Sequence, residues 1–343
     1  MISKLAYLLT ASLAFWGANA LPNSVPNAVE ALESRADGYH VVVTDQHSRT
    51  VRVFPRNAQK WDSDAVTWQF TADATFPWVK KPWNDLSDVR IRKTAQRGLI
   101  ALVAASGGKV GIVDISSKRR TGLHDLIWQA TPGDNPHALE RIPYVGALVS
   151  ASSTPGKLTL YAPPLASSID DFKNYRTVES YDVDFAHAVL WDPQGNNDPD
   201  KGFLWALGRD YLHQFRVKGR GQDTRLVRVR DPISLPPYKG TRNGHDLQPD
   251  YHQPGVLLLT HTSAAYEFNT STRKFKELTD KGKLKSLVRH SSGEYVWVQS
   301  SKGSDMGHYV SFSENARADK PKDSLGWDDA EFYKARIYSP DYA

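Results

Sequence analysis

Short apolar segments alternate with turn residues along most of the chain. Each segment is β-branched or alternates apolar with polar residues, and Gly, Pro, Ser and Asn separate it from the next, as in strands joined by tight turns. Six examples are YHVVVTD (39–45), TVRVFPR (50–56), GLIALVAAS (98–106), KVGIVDI (109–115), VGALVSASS (145–153) and KLTLYAP (157–163). No long segment after residue 20 has the 3.6-residue period of a helix. The pattern predicts an all-β protein.

These strands belong to a larger repeat. Five units each begin at an anchor residue and continue through four predicted strands; the anchors are Asp88, His137, His187, His245 and Lys285. Successive anchors are 49, 50, 58 and 40 residues apart. A four-stranded unit that recurs at this interval is typical of a β-propeller blade.

One further unit is incomplete. Residues 39–72 supply a second, third and fourth strand, but no first strand precedes them. We expect a terminal segment to complete this blade, because ring closure removes exposed strand edges. The segment FYKARIY (332–338) is assigned to the fourth strand of the last unit. The chain is therefore predicted to form six four-stranded blades, or seven if two repeats have been merged, in one propeller domain over 39–343.

The first twenty residues have the pattern of a secretory signal peptide. Lys4 precedes the apolar stretch LAYLLTASLAFW (5–16), and Ala18-Asn19-Ala20 is a small-x-small cleavage site. The apolar stretch is too short to span a bilayer. Residues 21–38 are expected to form a flexible lead-in. We expect a mature protein that is secreted, extracellular and monomeric, with no membrane as a partner.

Composition narrows the chemistry. The 343 residues include no cysteine, which excludes thiolate nucleophiles and cysteine-ligated zinc. The net charge is +5, and removing Lys4 with the signal peptide leaves 5 − 1 = +4. A mildly basic protein can favour acidic substrates such as uronate-bearing polysaccharides. Nucleic acid is not expected as a partner of an exported chain without a basic helix. The sequon at Asn269 predicts an attached glycan.

The anchors suggest where a site would form. The first strand of each blade lines the central channel of a propeller, so Asp88, His137, His187, His245 and Lys285 are predicted to converge at one end of the axis. Three imidazoles and a carboxylate could ligate a divalent metal. Alternatively, the imidazoles, the lysine and nearby arginines could clamp an acidic ligand and transfer protons. A purely structural role, in which these polar residues tie the blades together, is the third interpretation.

Aromatic residues accompany the anchors. Trp83, Trp191, Trp205 and Tyr211 lie beside the anchors or in adjoining strands. Aromatic faces near polar groups suit sugar rings, although most of the ten tryptophans are expected to pack the blades.

The motifs resemble those of an uncharacterised family of secreted β-propellers that is common in polysaccharide-degrading bacteria. The resemblance spans Tyr39 to Val298 and rests on SGGKVGIVD (106–114), NPHALERIP with GALVSASS (135–153), AHAVLWD (186–192), LWALGRDYL (204–212), GHDL (244–247) and KSL (285–287). This chain has Ala138 where the family has serine, and Ala188 where the family tends to have glycine.

More distantly, the chain looks like the propeller-fold rhamnose–glucuronate lyases, the related rhamnosidases and the ulvan lyases. That likeness implies β-elimination at a uronate, which needs a cation for the carboxylate, a base for the C5 proton and an acid for the leaving oxygen. It implies that His137, His187 or His245 supplies the base or acid. Lys285, Arg209 or Arg92 would neutralise the carboxylate, and Tyr211 and Tyr144 are further candidates.

Three functions follow from these patterns. The first is a secreted lyase acting on an acidic polysaccharide or oligosaccharide. The second is a non-catalytic propeller that binds a glycan or a protein. The third is an enzyme of secondary metabolism with an axial histidine or metal site.

Overall fold

The computed structural model describes residues 38–72, 82–193, 202–237, 243–315, 321–327 and 329–342. The predicted signal peptide and residues 21–37 of the lead-in lie outside these ranges. The described residues form 26 strands and three short 3-10 turns. The 3-10 turns are Leu123–Asp125, Phe172–Asn174 and Gly221–Asp223.

The strands are numbered in chain order. They are β1 His40–Asp45, β2 Thr50–Pro55, β3 Trp68–Thr71, β4 Leu86–Thr94, β5 Gly98–Ala105, β6 Lys109–Asp114, β7 Arg120–Gly122, β8 Leu126–Ala130, β9 Pro136–Arg141, β10 Leu148–Ser152, β11 Lys157–Ala162, β12 Arg176–Asp182 and β13 Ala188–Asp192. They continue with β14 Phe203–Leu207, β15 Tyr211–Lys218, β16 Arg225–Arg228, β17 Ile233–Ser234, β18 Gly244–Pro249, β19 Val256–His261, β20 Ala264–Asn269, β21 Lys274–Thr279, β22 Leu284–Arg289, β23 Tyr295–Gln299, β24 Tyr309–Ser313, β25 Asp323–Gly326 and β26 Phe332–Ile337.

The strands form six antiparallel sheets arranged as propeller blades, which confirms the predicted fold. From the axis outward, blade 1 is β26-β1-β2-β3, blade 2 is β4-β5-β6-β8, blade 3 is β9-β10-β11-β12, blade 4 is β13-β14-β15-β16, blade 5 is β18-β19-β20-β21 and blade 6 is β22-β23-β24-β25. Two blades carry an extra strand: β17 pairs with β15, and β7 pairs in parallel with β3.

The ring closes through the carboxyl-terminal strand, as the incomplete first unit predicted. Strand β26 pairs antiparallel with β1, so that Ala335 lies opposite Val43. The assignment of FYKARIY to the fourth strand of the last unit is wrong, because β25 holds that position. Every residue of β26 is buried, as in an axial strand, whereas most of an outer strand such as β12 is exposed.

Apolar faces of neighbouring blades pack against one another to form the core. Large side chains such as Trp205, Trp297 and Phe312 are almost fully buried between the sheets. Burial of this apolar surface stabilises a chain that has no disulfide. No helix in the described ranges is both long enough and apolar enough to cross a membrane.

Candidate functional site

A β-bulge presents one side chain from each of five axial strands. Where these strands begin, the pairing with the second strand of the blade shifts by one position or more and one or two residues are left unpaired. A bulge bends the strand and re-aims a side chain, which is a common device beside functional sites. The side chains presented in this way are those of Ser87, His137, His245, Lys285 and Tyr333. We call this end of the axis the axial mouth.

The sequence alignment on Asp88 was off by one residue. Ser87 occupies the bulge of its strand and donates a hydrogen bond of 2.6 Å to the carbonyl oxygen of Pro136 in the next blade. Asp88 lies one residue further along β4, where it accepts a hydrogen bond of 2.7 Å from Arg336. The position of a bulge cannot be recognised from the residue types in the strand. The sequence alignment therefore used the charged residue Asp88 in place of Ser87.

A left-handed residue precedes the mouth in four blades. In each of these blades the left-handed residue comes two positions before the residue at the mouth, which is Ser87, His137, His187 or Lys285. These residues and their φ angles are Asp85 (58°), Asn135 (58°), Phe185 (54°) and Lys283 (63°). Asparagine and aspartate tolerate this region, whereas a bulky side chain strains the backbone by about 1–2 kcal/mol. The Phe185 ring stacks on His187, with centroids 4.8 Å apart, so the strained residue also walls the mouth.

The three predicted histidines meet at the axial mouth. The rings of His137 and His187 stack with centroids 3.7 Å apart, and the ring of His245 meets that of His187 edge-on at 5.0 Å. His137 and His187 are buried, while His245 is partly exposed. The Nδ1 atoms of His187 and His245 are buried without a hydrogen-bond partner among the described residues. The cluster therefore holds hydrogen-bonding capacity, as donor or acceptor according to the tautomer, that no described protein group uses.

Tyr333 joins two of these rings. Its hydroxyl oxygen lies 3.1 Å from Nε2 of His187 and 3.3 Å from Nδ1 of His137. A phenol has one proton and can donate to only one of the two at a time. Sequence reasoning missed this residue because its strand had been given to another blade. One feature of the sequence could have indicated it: the segment FYKARIY (332–338) carries polar side chains among apolar residues, as the other axial strands do.

Two lysines flank the tyrosine. The Nζ atoms of Lys285 and Lys334 lie 5.7 Å and 5.1 Å from the centroid of the Tyr333 ring. Lys285 is buried and lies 3.9 Å from Asp305, whose side chain is exposed. Lys334 donates to the backbone oxygen of His245 at 2.5 Å. The axial mouth thus places two ammonium groups beside neutral donors and acceptors.

Burial and like charge fix the protonation states of these groups. Burial, together with Lys334 and Lys285, lowers the pKa of His137 to about 3. Burial and the neighbouring histidines lower the pKa of His187, and burial and the two lysines lower that of His245. Burial also lowers the pKa of Lys334 to about 8, although Asp246 opposes it, and raises the pKa of Tyr333. At neutral pH the imidazoles are therefore uncharged and the phenol keeps its proton.

A ladder of ion pairs fills the axis below the axial mouth. Arg336 donates to both oxygens of Asp246, at 2.7 and 2.8 Å, and to Asp88 at 2.7 Å. Lys334 lies 3.3 Å from Asp246. Burial alone would raise the pKa of Asp246, but Arg336 and Lys334 hold it below its usual value. These charges come from β4, β18 and β26, so the ladder ties three blades together across the axis.

Arg92 lies at the other end of the axis. It pairs with Glu140 through two hydrogen bonds of 2.9 and 2.7 Å, and its guanidinium lies 4.2 Å from the ring centroid of Tyr342. Five residues of extended strand separate Arg92 from Ser87, or roughly 17 Å. The structure therefore does not bring Arg92 to the histidines.

The predicted aromatic residues do not reach the mouth. Trp83 and Trp191 are buried in the packing between blades, where Trp191 contacts Tyr144. Trp205 is fully buried in blade 4. Tyr211 lies at the start of β15 with 46% of its surface exposed. Alternation along β13, β14 and β15 points the rings of Trp191, Trp205 and Tyr211 into the core or away from the axis.

Two other predicted residues lie outside the ring of histidines. Arg209 binds Asp184 at 2.8 Å, and its guanidinium lies over the ring of Phe185 at 4.8 Å. The Phe185 ring therefore lies between Arg209 and His187. The predicted glycan acceptor Asn269 ends β20 in an outer turn, where its side-chain oxygen accepts a hydrogen bond from Thr272.

The metal alternative finds no ligand set in the described ranges. No group of three or more histidine, aspartate or glutamate side chains is placed there to hold an ion. Nε2 of His187 and Nδ1 of His137 are already directed at the Tyr333 hydroxyl, and Asp88 and Asp246 are already bound to Arg336. The chemistry of these donors suits proton transfer and anion binding better.

Comparison with known proteins identifies the family. The model of a family of unknown function (DUF6528) matches residues 4–299. The chain belongs to this family. A search of the curated proteins found no match.

Solved structures with similar folds have low sequence identity. A chain in the crystal structure of a nidogen/laminin complex is 10% identical with a TM-score of 0.54; the alignment covers 88% of this chain and 99% of that one. A protein of unknown function from Bacteroides caccae gives the same values. A functionally unknown protein from Desulfotomaculum acetoxidans DSM 771 is 11% identical with a TM-score of 0.51, covering 87% and 84%. At such identity the likeness concerns the fold alone.

Proposed function

We propose that this protein is a secreted, carbohydrate-active propeller that cleaves an acidic saccharide at a uronate by β-elimination in the axial mouth. The observation that carries the proposal is the position of the Tyr333 hydroxyl between His187 and His137, with two lysines beside the same ring. The resemblance to propeller-fold lyases supports the reaction class, and the signal-peptide pattern supports export.

The lysines would receive the substrate carboxylate. Lys285 and Lys334 are the cations beside the Tyr333 ring, and both are buried, so their charge acts through little water. Neutralising the carboxylate makes the adjacent C5 proton more acidic and stabilises the charge that develops when it leaves.

Proton transfer would divide between a histidine and the tyrosine. His245 is the most exposed of the three imidazoles and is uncharged, so it takes the C5 proton. The C4–O bond breaks as a C4=C5 double bond forms, and the Tyr333 hydroxyl protonates the leaving oxygen. The proton that His245 took from C5 then returns to Tyr333 by way of His187, whose ring meets that of His245 and whose Nε2 lies 3.1 Å from the Tyr333 hydroxyl, so both groups regain their starting protonation. One proton is taken and one is given in each turnover.

Hydrolysis by two carboxylates is less favoured by this geometry. A glycosidase needs one carboxylic acid and one free carboxylate on either side of the scissile bond. Asp88 and Asp246 are instead bound to Arg336 below the mouth.

A non-catalytic binding role is the second candidate, and one observation favours it. Only 3% of the surface of His187 and 4% of that of Tyr333 are exposed. Such a site could hold a carboxylate without admitting the bond to be cleaved.

One experiment separates these functions. The purified protein is mixed with a uronate-bearing polysaccharide and, as a matched control, with the same polysaccharide after reduction of its carboxyl groups. Elimination gives an ultraviolet absorbance from the unsaturated uronate, which should be absent with the reduced polymer and in His245→Gln. Calorimetric binding without absorbance would favour the binding role. Neither binding nor product with any uronate polymer would refute both.

A further inference from the structure

A cavity lies away from the axis, between blade 1 and blade 6. Its volume is about 480 Å³, within the range of roughly 300–1,000 Å³ typical of ligand sites. Its walls include the side chains of Arg52, Phe54, Trp61, Gln69, Arg120 and Trp327. We call it the interblade pocket.

The extra strand β7 delivers an arginine to this pocket. β7 leaves blade 2 and pairs in parallel with β3 of blade 1, where Arg120 lies opposite Gln69. Arg119 fixes the detour by donating its Nε to the carbonyl oxygen of Val66 at 3.1 Å. A parallel three-residue strand adds little to the core, yet it places a basic residue at the edge of blade 1.

No described residue compensates the charge of Arg120. Its guanidinium makes no hydrogen bond or ion pair in the described ranges, and it is exposed. Arg52, also in the pocket, pairs with Asp45 at 3.0 Å and with Gln69 at 3.1 Å. The pKa of Arg52 is lowered by its burial and further by the nearby charge of Arg120, although Asp45 opposes both.

Two described acids near the pocket are already engaged. Asp45 is fully buried and accepts from Ser48 and from the backbone of Glu331 as well as from Arg52. Asp62, on the rim, pairs with Lys60 at 2.7 Å and accepts two backbone hydrogen bonds. The pocket therefore presents an excess of positive charge to an incoming ligand.

Aromatic rings supply the other half of the recognition surface. Trp327 is partly exposed, and the Arg52 guanidinium lies 5.1 Å from its ring centroid. Trp61 is buried behind it and stacks on Phe54 with centroids 4.6 Å apart. A partly exposed indole beside two guanidinium groups fits a ring that carries an anionic group, and a forked guanidinium matches a carboxylate.

We propose that the interblade pocket binds a carboxylate-bearing sugar unit, with Arg120 and Arg52 on the carboxylate and Trp327 against the ring. The pocket is built by side chains of blades 1 and 6 and by β7, and it shares no residue with the axial mouth. The assignment therefore does not depend on elimination chemistry.

Calorimetry with a galacturonate trisaccharide tests the assignment. Arg120→Gln should weaken binding by about tenfold or more, because a charge-assisted contact is lost. Trp327→Leu should also weaken it. The matched control is Arg176→Gln, which removes the same charge from an exposed position of β12 and should leave binding within about twofold. The methyl ester of the trisaccharide, which has no charge, should bind at least about tenfold more weakly.

An axial variant keeps this proposal separate from the proposed function. Tyr333→Phe should lose elimination but keep calorimetric binding of the trisaccharide. Binding that disappears in Tyr333→Phe and persists in Arg120→Gln would place the ligand at the mouth and overturn the assignment. Equal binding of the acid and the ester, or no binding to the wild-type protein, would overturn it as well.

Discussion

The hydroxyl oxygen of Tyr333 lies 3.1 Å from Nε2 of His187, although 146 residues separate them in the chain. The contact exists because the carboxyl-terminal strand returns to the axis and completes blade 1. Closing the ring and assembling the axial mouth are therefore the same event. Four predictions follow from the groups that meet there.

Tyr333→Phe should slow elimination strongly while leaving the fold intact. Removing the hydroxyl deletes the general acid, which is expected to lower kcat by about 10²–10⁴-fold. The product absorbance on a uronate polymer measures the change. Tyr211→Phe is the matched control, because that tyrosine is exposed on the surface of blade 4. Equal loss in both variants would mean that Tyr333 has no special role.

Asp246→Asn should destabilise the protein strongly. The substitution leaves Lys334 and part of the Arg336 guanidinium buried without a matching charge, which typically costs about 3–5 kcal/mol. Urea unfolding monitored by tryptophan fluorescence measures the difference.

Asp182→Asn is the control for this comparison. Asp182 pairs with Lys157 on the surface, with its side chain 89% exposed, so the loss should be about 0–1 kcal/mol. Similar values for the two variants would argue against a buried ladder.

Stability should fall as the pH drops from about 6.5, the usual histidine value, towards 4. The pKa of His137 is about 3 in the folded state, and those of His187 and His245 are also lowered. Between these limits the unfolded chain binds protons that the folded chain does not, so the free energy of unfolding rises with pH.

Replacing one of these histidines should reduce that pH dependence. His137→Gln is expected to lower the slope of unfolding free energy against pH by up to ~1.4 kcal/mol per pH unit. Urea titrations at a series of pH values give the slope. His47→Gln, at an exposed histidine that makes no ion pair with a described residue, is the matched control. An unchanged slope in the His137 variant would contradict the assignment of neutral axial imidazoles.

A chain truncated after Trp327 should not fold cooperatively. It lacks β26, which exposes the edges of β1 and removes Lys334 and Arg336 from the ladder. Circular dichroism during heating would show a broad, early change instead of one transition. A chain truncated after Tyr338 keeps β26 and should still unfold in a single step. A sharp transition in the shorter chain would show that closure is dispensable.

Much of the architecture was readable from the sequence. Alternating apolar strands and the 40–58-residue spacing of the anchors predicted six blades, and the missing first strand of residues 39–72 predicted closure by a terminus. The three histidines and Lys285 were also placed at one end of the axis. These predictions are correct because the repeat determines which strand of each blade lies at the axis, whatever the contacts between blades are.

The remainder of the site depends on interactions that local sequence does not encode. The one-residue bulge at Ser87 moved Asp88 out of the mouth, and burial of every residue in β26 distinguishes an axial strand from an outer one only after folding. Trp83 and Trp191 stand close to anchors in the chain, but Trp83 lies in the turn before β4 and Trp191 in β13, and both are buried in the packing between blades.

The ion pairs of Arg336, Asp246 and Asp88 affect how a ligand can pass along the propeller axis. They occupy the centre of the ring directly beneath the histidines, so a ligand that enters meets charged side chains instead of an open passage. A ligand would therefore enter and leave the site through the same end of the axis. A long polymer could then offer only a terminus or a side branch, and each product would have to back out before the next molecule could enter.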